Sequence, residues 1–183
     1  MIAKLKYVFI SLLLSSSLLA LSQEGTSDSK KEGTVLENLK KEKEYSTFVK
    51  ALEKTGLDKA LLGSNNVTVF APNNRAFEQD KKVFDELFKD QNLAMLTKII
   101  AAHITIQPFG EKEKVILHSD NPEDPDKLKI TTLMGDIFVI QPNQSVYMLT
   151  SPTIGEVFII KSDYSSTNGT FHLISQCIFD RNR

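Results

Sequence analysis

The chain carries one cysteine, Cys177, and so cannot form an internal disulfide. Stability must come from packing, which a mature length of roughly 160 residues can supply in a single domain. Long apolar runs are also missing. The one extended run, Val8 to Leu21, is about fourteen residues long and diluted by Ser11 and Ser15 to Ser17, short of the ~20 that a spanning helix needs. Clustered positive charge is absent, because Lys40-Lys41-Glu42-Lys43-Glu44 alternates in sign and 22 basic residues face 23 acidic ones. Without a basic surface to neutralise phosphates, no nucleic-acid partner is expected. There is no Gly-x-Ser-x-Gly elbow, phosphate-cradling glycine loop, dinucleotide fingerprint or His-Glu-x-x-His pair. The expectation is therefore a protein that is not an enzyme and needs no cofactor or metal.

What is present begins with a targeting signal. Lys4 and Lys6 precede the uncharged run, and Ala20-Leu21-Ser22 forms a small-x-small cleavage pattern before Gln23. Residues 1–22 are expected to be a signal peptide, and the mature protein to be secreted, or periplasmic or surface-associated in a bacterium. Removing two lysines makes the balance slightly more acidic, about −3. Residues 23–33 contain no apolar side chain and are expected to form a flexible leader. The predicted domain spans 34–180. The chain stops at Arg183 with no apolar tail, so no membrane anchor is expected in the mature form.

Thr34-Val-Leu-Glu37 has the pattern of a capping box. Tyr45, Phe48, Val49 and Leu52 recur at helical spacing before Gly56, and Leu57 to Leu62 suggests one more short helix ended by Gly63. Val67 to Phe70 predicts a buried strand broken at Pro72. Ala76, Phe77, Val83, Phe84, Leu87 and Phe88 mark short helices, and Leu93 to His103 a longer one with one apolar face. Beyond His103 the period changes to short β-rich runs at 115–117, 128–132, 137–140, 146–149, 157–160 and 171–179. Helices first and strands last predict an α+β fold with helices covering one side of a sheet.

Two segments are more specific than generic core: Val67-Thr-Val-Phe-Ala-Pro-Asn-Asn-Arg-Ala-Phe77 and Asn168-Gly-Thr-Phe-His-Leu-Ile-Ser-Gln-Cys-Ile178. Together they resemble the two signature boxes of the fasciclin domain family. Leu96 to Ile104 is similar to the family's Tyr-His element, with His103 in the His place and Ala102 in the Tyr place. Thr132-Leu133 followed by Gly135 is similar to the family's mid-domain step. The resemblance implies a fasciclin-like wedge of N-terminal helices on a twisted sheet or a β-sandwich. It also implies adhesion, or extracellular or envelope interaction, by surface binding to a protein, a glycan or a matrix component. Asn73, Asn74, Ala102, His103 and Ile104 are expected near the binding surface. Ser175 stands where an Asp often follows, and because Ala102 replaces the family's Tyr, the integrin partner of some animal relatives is not carried over.

The residues themselves suggest further roles. Asn73 or Asn74 can cap the helix that buries Phe77, and Asn168-Gly169 is a turn pair able to take positive φ. His103, His118 and His172 show no metal-ligand spacing and are best explained as satisfied structural histidines. Cys177 and His172 lie at an odd offset and are expected on opposite faces of one strand, with Cys177 a buried, inert thiol of a monomer or, alternatively, the link of a Cys177-linked dimer. The acidic loop Ser119 to Asp126 lacks the ligand alternation of a calcium loop. Asn66, Asn143 and Asn168 begin sequons, candidate glycan sites in a eukaryotic secretory route, with Asn143 expected to be the most exposed. Phe70, Phe77, Phe84 and Phe88 permit a rival reading, a soluble carrier or sensor of a small apolar ligand held between helices and sheet.

Overall fold

The computed structural model describes residues 33–110, 127–143 and 146–180. The signal peptide, most of the leader, the run at 115–117, His118 and the acidic loop lie outside the described residues.

The helical half follows from its caps. Thr34 opens α1 (Val35–Lys41): its Oγ1 accepts from the Glu37 amide at 3.3 Å, and the Glu37 carboxylate accepts from the Thr34 amide at 2.7 Å. α2 (Ser46–Thr55) has no cap of its own at Tyr45; instead Asn74 reaches across, its Oδ1 accepting from the Thr47 amide at 3.0 Å and its Nδ2 donating to the Lys43 carbonyl at 3.0 Å. Gly56, at φ +74°, turns the chain into α3 (Leu57–Gly63), a left-handed position that a Cβ would strain. After β1 (Val67–Pro72), Asn73 caps α4 (Asn74–Gln79) by accepting from the Ala76 amide at 3.0 Å. α5 (Lys81–Leu87), α6 (Leu93–Ala101) and the two-residue strand β2 (Ile104–Thr105) complete this half.

The second half contributes β3 (Leu128–Thr131), β4 (Ile137–Asn143), β5 (Val146–Ser151), β6 (Gly155–Ser166) and β7 (Gly169–Ile174). The seven described strands form one mixed sheet in the order β2-β1-β7-β6-β5-β4-β3, so of the two forms left open the protein takes the single sheet. Among the described strands only β1 and β7 pair in parallel, Val67 opposite Gly169 through Pro72 opposite Ile174. The two signature segments are thus neighbours in the sheet. Its outer strands approach each other as well: the Leu133 amide donates to the Ile104 carbonyl at 2.9 Å and the Thr131 amide to Gln107 Oε1 at 2.6 Å. Those bonds curl the sheet almost into a barrel and leave little open edge.

Strand alternation divides the interior in two. Val67, Val69 and Ala71 of β1 and Phe171 and Leu173 of β7 pack against Leu36, Leu39, Phe48, Leu52, Leu96 and Ile100 of the helices. Phe70 and Ile174 face the other way, into a second cluster with Phe109, Ile130, Phe138, Ile140, Leu149 and Val157. Each fully buried side chain of the size of Phe48 or Phe70 contributes about 2 kcal/mol by removal from water.

Asn168-Gly169 does more than turn the chain. The Asn168 side chain accepts from the Val35 amide at 2.9 Å and donates to the Leu61 carbonyl at 2.8 Å, tying α1 and α3 to the start of β7. A Cβ on Gly169 would lie 1.9 Å from the Val67 carbonyl oxygen, so close approach to β1, rather than turn geometry, demands glycine there.

Two strands differ most from expectation, while β4 and β5 each run two or three residues past theirs. β6 is 12 residues long, not four, because its register shifts between Ile159 and Tyr164, with Asp163 at φ +68°; the irregularity admits Lys161-Ser162-Asp163, which no alternation would predict. β7 ends at Ile174 instead of Phe179. Ser175 closes it by exchanging bonds with Phe158, its amide donating to the carbonyl and its Oγ accepting from the amide. The chain then runs on as an irregular segment.

Candidate functional site

His103 sits where α6 ends and the C-terminal segment arrives. It is fully buried, its ring 5.6 Å from that of Phe48. Nδ1 donates to the Ile99 carbonyl at 2.8 Å, and Nε2 accepts from the Ile178 amide at 2.9 Å. Those partners require the neutral Nδ1–H tautomer. Burial pushes its pKa from the ordinary 6.5 down to about 4, against a smaller upward pull from the Ile99 carbonyl. The backbone on either side is engaged too, since the His103 carbonyl accepts from the Phe70 amide at 2.9 Å. His103 is therefore a joint between helix, central strand and C-terminus.

This placement corrects the expected surface. Ala102, His103 and Ile104 are all buried, at 7, 0 and 2 % exposure, so none offers a partner a broad contact. Their apolar neighbourhood and two satisfied ring nitrogens explain why: a helix end that docks on the sheet hides its last turn. Asn73 and Asn74 are half-buried, and their side chains are occupied in capping α4 and latching α2.

Beside this joint the surface opens into a cleft of about 530 Å³. Val83 and Leu87 of α5, Met95, Lys98 and Ile99 of α6 and Ala102 just after it line this cleft, together with Met134 and Asp136 from the β3–β4 turn, Phe138 of β4, and Thr153 and Ile154. Ile178, Phe179 and Asp180 line it as well. Ala102 is thus the one expected site residue that reaches the cleft. Val83, Met95 and Met134 are 44, 52 and 43 % exposed, large apolar side chains that water touches around a concavity. Asp80, Lys98, Asp136 and Asp180 supply its charges, three acidic and one basic. The cleft's size and largely apolar lining match sites that bind small molecules or anchor side chains of a partner.

The remaining expected residues are placed as follows. His172 is buried on the opposite sheet face from the helices; Nδ1 accepts from the Asp163 amide at 3.1 Å and Nε2 donates to the Phe109 carbonyl at 2.7 Å. Cys177 is buried in the helix-side core, so the two stay apart, and a dimer through Cys177 would require its thiol to leave that core. Phe77 and Phe84 stack edge-to-face at 4.7 Å within the core, and none of Phe70, Phe77, Phe84 and Phe88 lines the cleft, contrary to the role suggested for them. Asn66 is exposed in the turn before β1, Asn143 is half-buried in the β4–β5 ladder, and Asn168 is buried with its Nδ2 already donating to Leu61, which makes Asn66 the accessible sequon instead of Asn143. Among the described residues no His, Cys, Asp or Glu cluster has metal-binding geometry, and no helix is long and apolar enough to cross a membrane.

Sequence reasoning missed the cleft because its walls come from segments far apart in the chain. The signals it left are Met95, on the polar side of α6, and Leu133-Met134 in a turn where polar residues are usual.

Comparison with known proteins fits this architecture. The fasciclin domain family model matches residues 43–180. Human periostin is 29% identical over 152 residues, which cover 81% of this chain and 16% of periostin; the chain thus spans about a sixth of that relative. The solved FAS1 domain pair from the insect cell adhesion molecule fasciclin I superimposes with a TM-score of 0.69 at 16% identity, over 83% of this chain and 52% of the other, and that likeness speaks for the fold. With the family match running from Lys43, just before α2, to Asp180, beyond the last strand, and both signature segments paired side by side in the sheet, the chain belongs to the fasciclin domain family.

Proposed function

We propose that the protein is a secreted, single fasciclin domain that mediates adhesion or extracellular interaction by binding a protein, glycan or matrix component at its surface. The observation that carries this reading is the open cleft flanked by exposed Val83, Met95 and Met134, apolar area that a monomer in water keeps uncovered at a cost unless a partner uses it. Membership of a family that includes an insect cell adhesion molecule supports it. Both described histidines are committed to backbone partners, which favours binding over catalysis. In the secretory route of a eukaryote, Asn66 is the sequon that takes a glycan.

The test is saturable binding of the mature chain to cells or deposited matrix from its native surroundings. Met95→Asp combined with Met134→Asp places charge in the cleft at exposed positions where folding tolerates it. Binding is expected to fall tenfold or more with an unchanged circular dichroism spectrum. Binding that survives the double substitution refutes the cleft as the adhesive surface. A second reading, a carrier of a small apolar ligand, is favoured by the cleft's volume of about 530 Å³, which suits a drug-sized molecule. Native mass spectrometry of protein purified from its own source tests it by a retained mass.

A further inference from the structure

We propose that Asn168-Gly169 is a self-modification site controlled by the fold: it is sealed while α1 and α3 are docked, deamidates once they lift away, and then keeps the domain from closing again. Asn168 is the one asparagine in the chain followed by glycine. A glycine nitrogen has no side chain beside it to hinder attack, and its backbone reaches conformations that other residues avoid. In an open chain the Gly169 nitrogen attacks Asn168 Cγ. The new C–N bond forms as the Cγ–Nδ2 bond breaks, and the Gly169 amide proton leaves with Nδ2 as ammonia. Water, the only co-reactant, then opens the cyclic imide to aspartate or isoaspartate.

The folded protein holds each part of that reaction still. Asn168 Oδ1 accepts from the Val35 amide at 2.9 Å and Nδ2 donates to the Leu61 carbonyl at 2.8 Å, so both polar atoms on Cγ are tied to helices. Two further bonds seat the β6–β7 turn against α1: the Thr167 amide donates to the Gly33 carbonyl at 2.8 Å, and Asn38 Nδ2 donates to Ser166 Oγ at 3.0 Å. On the other side the Asn168 carbonyl accepts from the Val67 amide at 3.1 Å. A Cβ on Gly169 would lie 1.9 Å from the Val67 carbonyl oxygen, so the start of β7 has no room to swing toward Cγ. Asn168 is 9 % exposed, which keeps hydrolytic water away as well.

The seal depends on a short element. α1 has 7 residues, fewer than the ~12–15 that an isolated helix needs, so it stays helical only while Val35, Leu36 and Leu39 pack on the core. Its release is a local opening, less costly than unfolding the whole domain. The product then opposes return. A carboxylate at position 168 still accepts from Val35 but has no hydrogen for the Leu61 carbonyl, which leaves two acceptors facing each other in a buried place. Isoaspartate in addition lengthens the main chain by a carbon where Val67 lies opposite Gly169. An opening that would otherwise reverse is thus converted into a covalent change that persists.

The experiment incubates the mature chain in mildly alkaline buffer, with and without unfolding concentrations of urea, beside a synthetic peptide of residues 166–171. Peptide mapping by mass spectrometry follows the gain of about 1 Da at Asn168. The unfolded chain is expected to react at the peptide's rate and the folded chain at least about a hundredfold more slowly. Leu36→Ala loosens α1 without removing any Asn168 bond and should speed the folded-state reaction at least about tenfold. Asn38→Ala removes only the bond to Ser166, serves if Leu36→Ala fails to fold, and should speed the reaction about threefold. Val157→Ala, in the second cluster and away from α1, should leave the rate unchanged. Protein deamidated in urea and returned to buffer should unfold at a urea midpoint lower by at least about 1 M.

A folded-state rate within about tenfold of the peptide's overturns the proposal, since the fold then seals nothing. So does a rate that neither α1 substitution raises, or one that Val157→Ala raises as much, which would make whole-domain unfolding the route. A deamidated chain that regains the natural midpoint overturns the claim that the product opposes closure.

Discussion

Acidification from pH 7 to pH 5 should remove about 2 kcal/mol of folding stability through His103 alone. In the folded protein its pKa is lowered from 6.5 to about 4, because the ring is buried and Nε2 must stay unprotonated to accept from the Ile178 amide. The unfolded chain therefore binds a proton at this site more readily than the folded one. The stability penalty is negligible above the unfolded value, grows as pH falls through 6.5, and levels off once pH drops below about 4. Midway, at pH 5, the unfolded ring is almost wholly charged and the folded ring almost wholly neutral, and the difference in proton binding amounts to about 2 kcal/mol, rising to about 3 at pH 4.

The assay is urea unfolding at both pH values for the natural chain and for His103→Gln, whose amide oxygen can still accept from Ile178. With an m-value of about 2 kcal/mol/M, the natural chain should lose about 1 M more of its midpoint than the variant over this interval. Every other group is common to both proteins, so its contribution cancels in the comparison. Equal loss in the two proteins would refute the reasoning, as would an NMR titration placing the folded His103 midpoint near 6.5.

Other perturbations follow from the same geometry. Asn168→Ala leaves the Val35 amide and Leu61 carbonyl without their buried partner and should cost about 3 kcal/mol in chemical denaturation, with the loss concentrated where α1 and α3 meet the sheet in hydrogen exchange. Gly169→Ala forces a methyl onto the Val67 carbonyl and should cost more than about 3 kcal/mol or abolish soluble expression; a mild effect would mean that β1 and β7 can part without loss. Tyr45→Phe removes a buried hydroxyl that makes no hydrogen bond while keeping the ring packed at 5.8 Å from Phe171, so thermal unfolding should show no loss and up to about 1 kcal/mol of gain.

Local chemistry explains which features were legible in advance. The Thr34–Glu37 capping box, the Gly56 helix stop and the Asn73 cap each depend on residues within four positions of one another, and each forms as its spacing predicts. The strand at Val67 and the β-rich second half announce themselves by side-chain type. Register irregularity in β6 was not legible, because Lys161-Ser162-Asp163 gives no alternation and only pairing with β7 holds it in the strand. Nor was the two-residue β2, too short for any period to mark.

The site was less visible than the fold. His103 stands out in the sequence, but whether a helix-end histidine faces water or the core depends on what packs over it. Here the Ile178 amide, 75 positions away, decides. Asn74 looked like an alternative cap for α4 and proves to hold the start of α2, 27 residues back. By itself the sequence determined the order of helices and strands, the two signature segments and the family they indicate, because those depend on short-range propensity and side-chain type. Only the tertiary structure decided that the signature segments lie side by side in parallel, that Ala102 to Ile104 turn inward, and that Met95 and Met134 line the same open cleft. Those facts depend on contacts between distant parts of the chain, which no local pattern records.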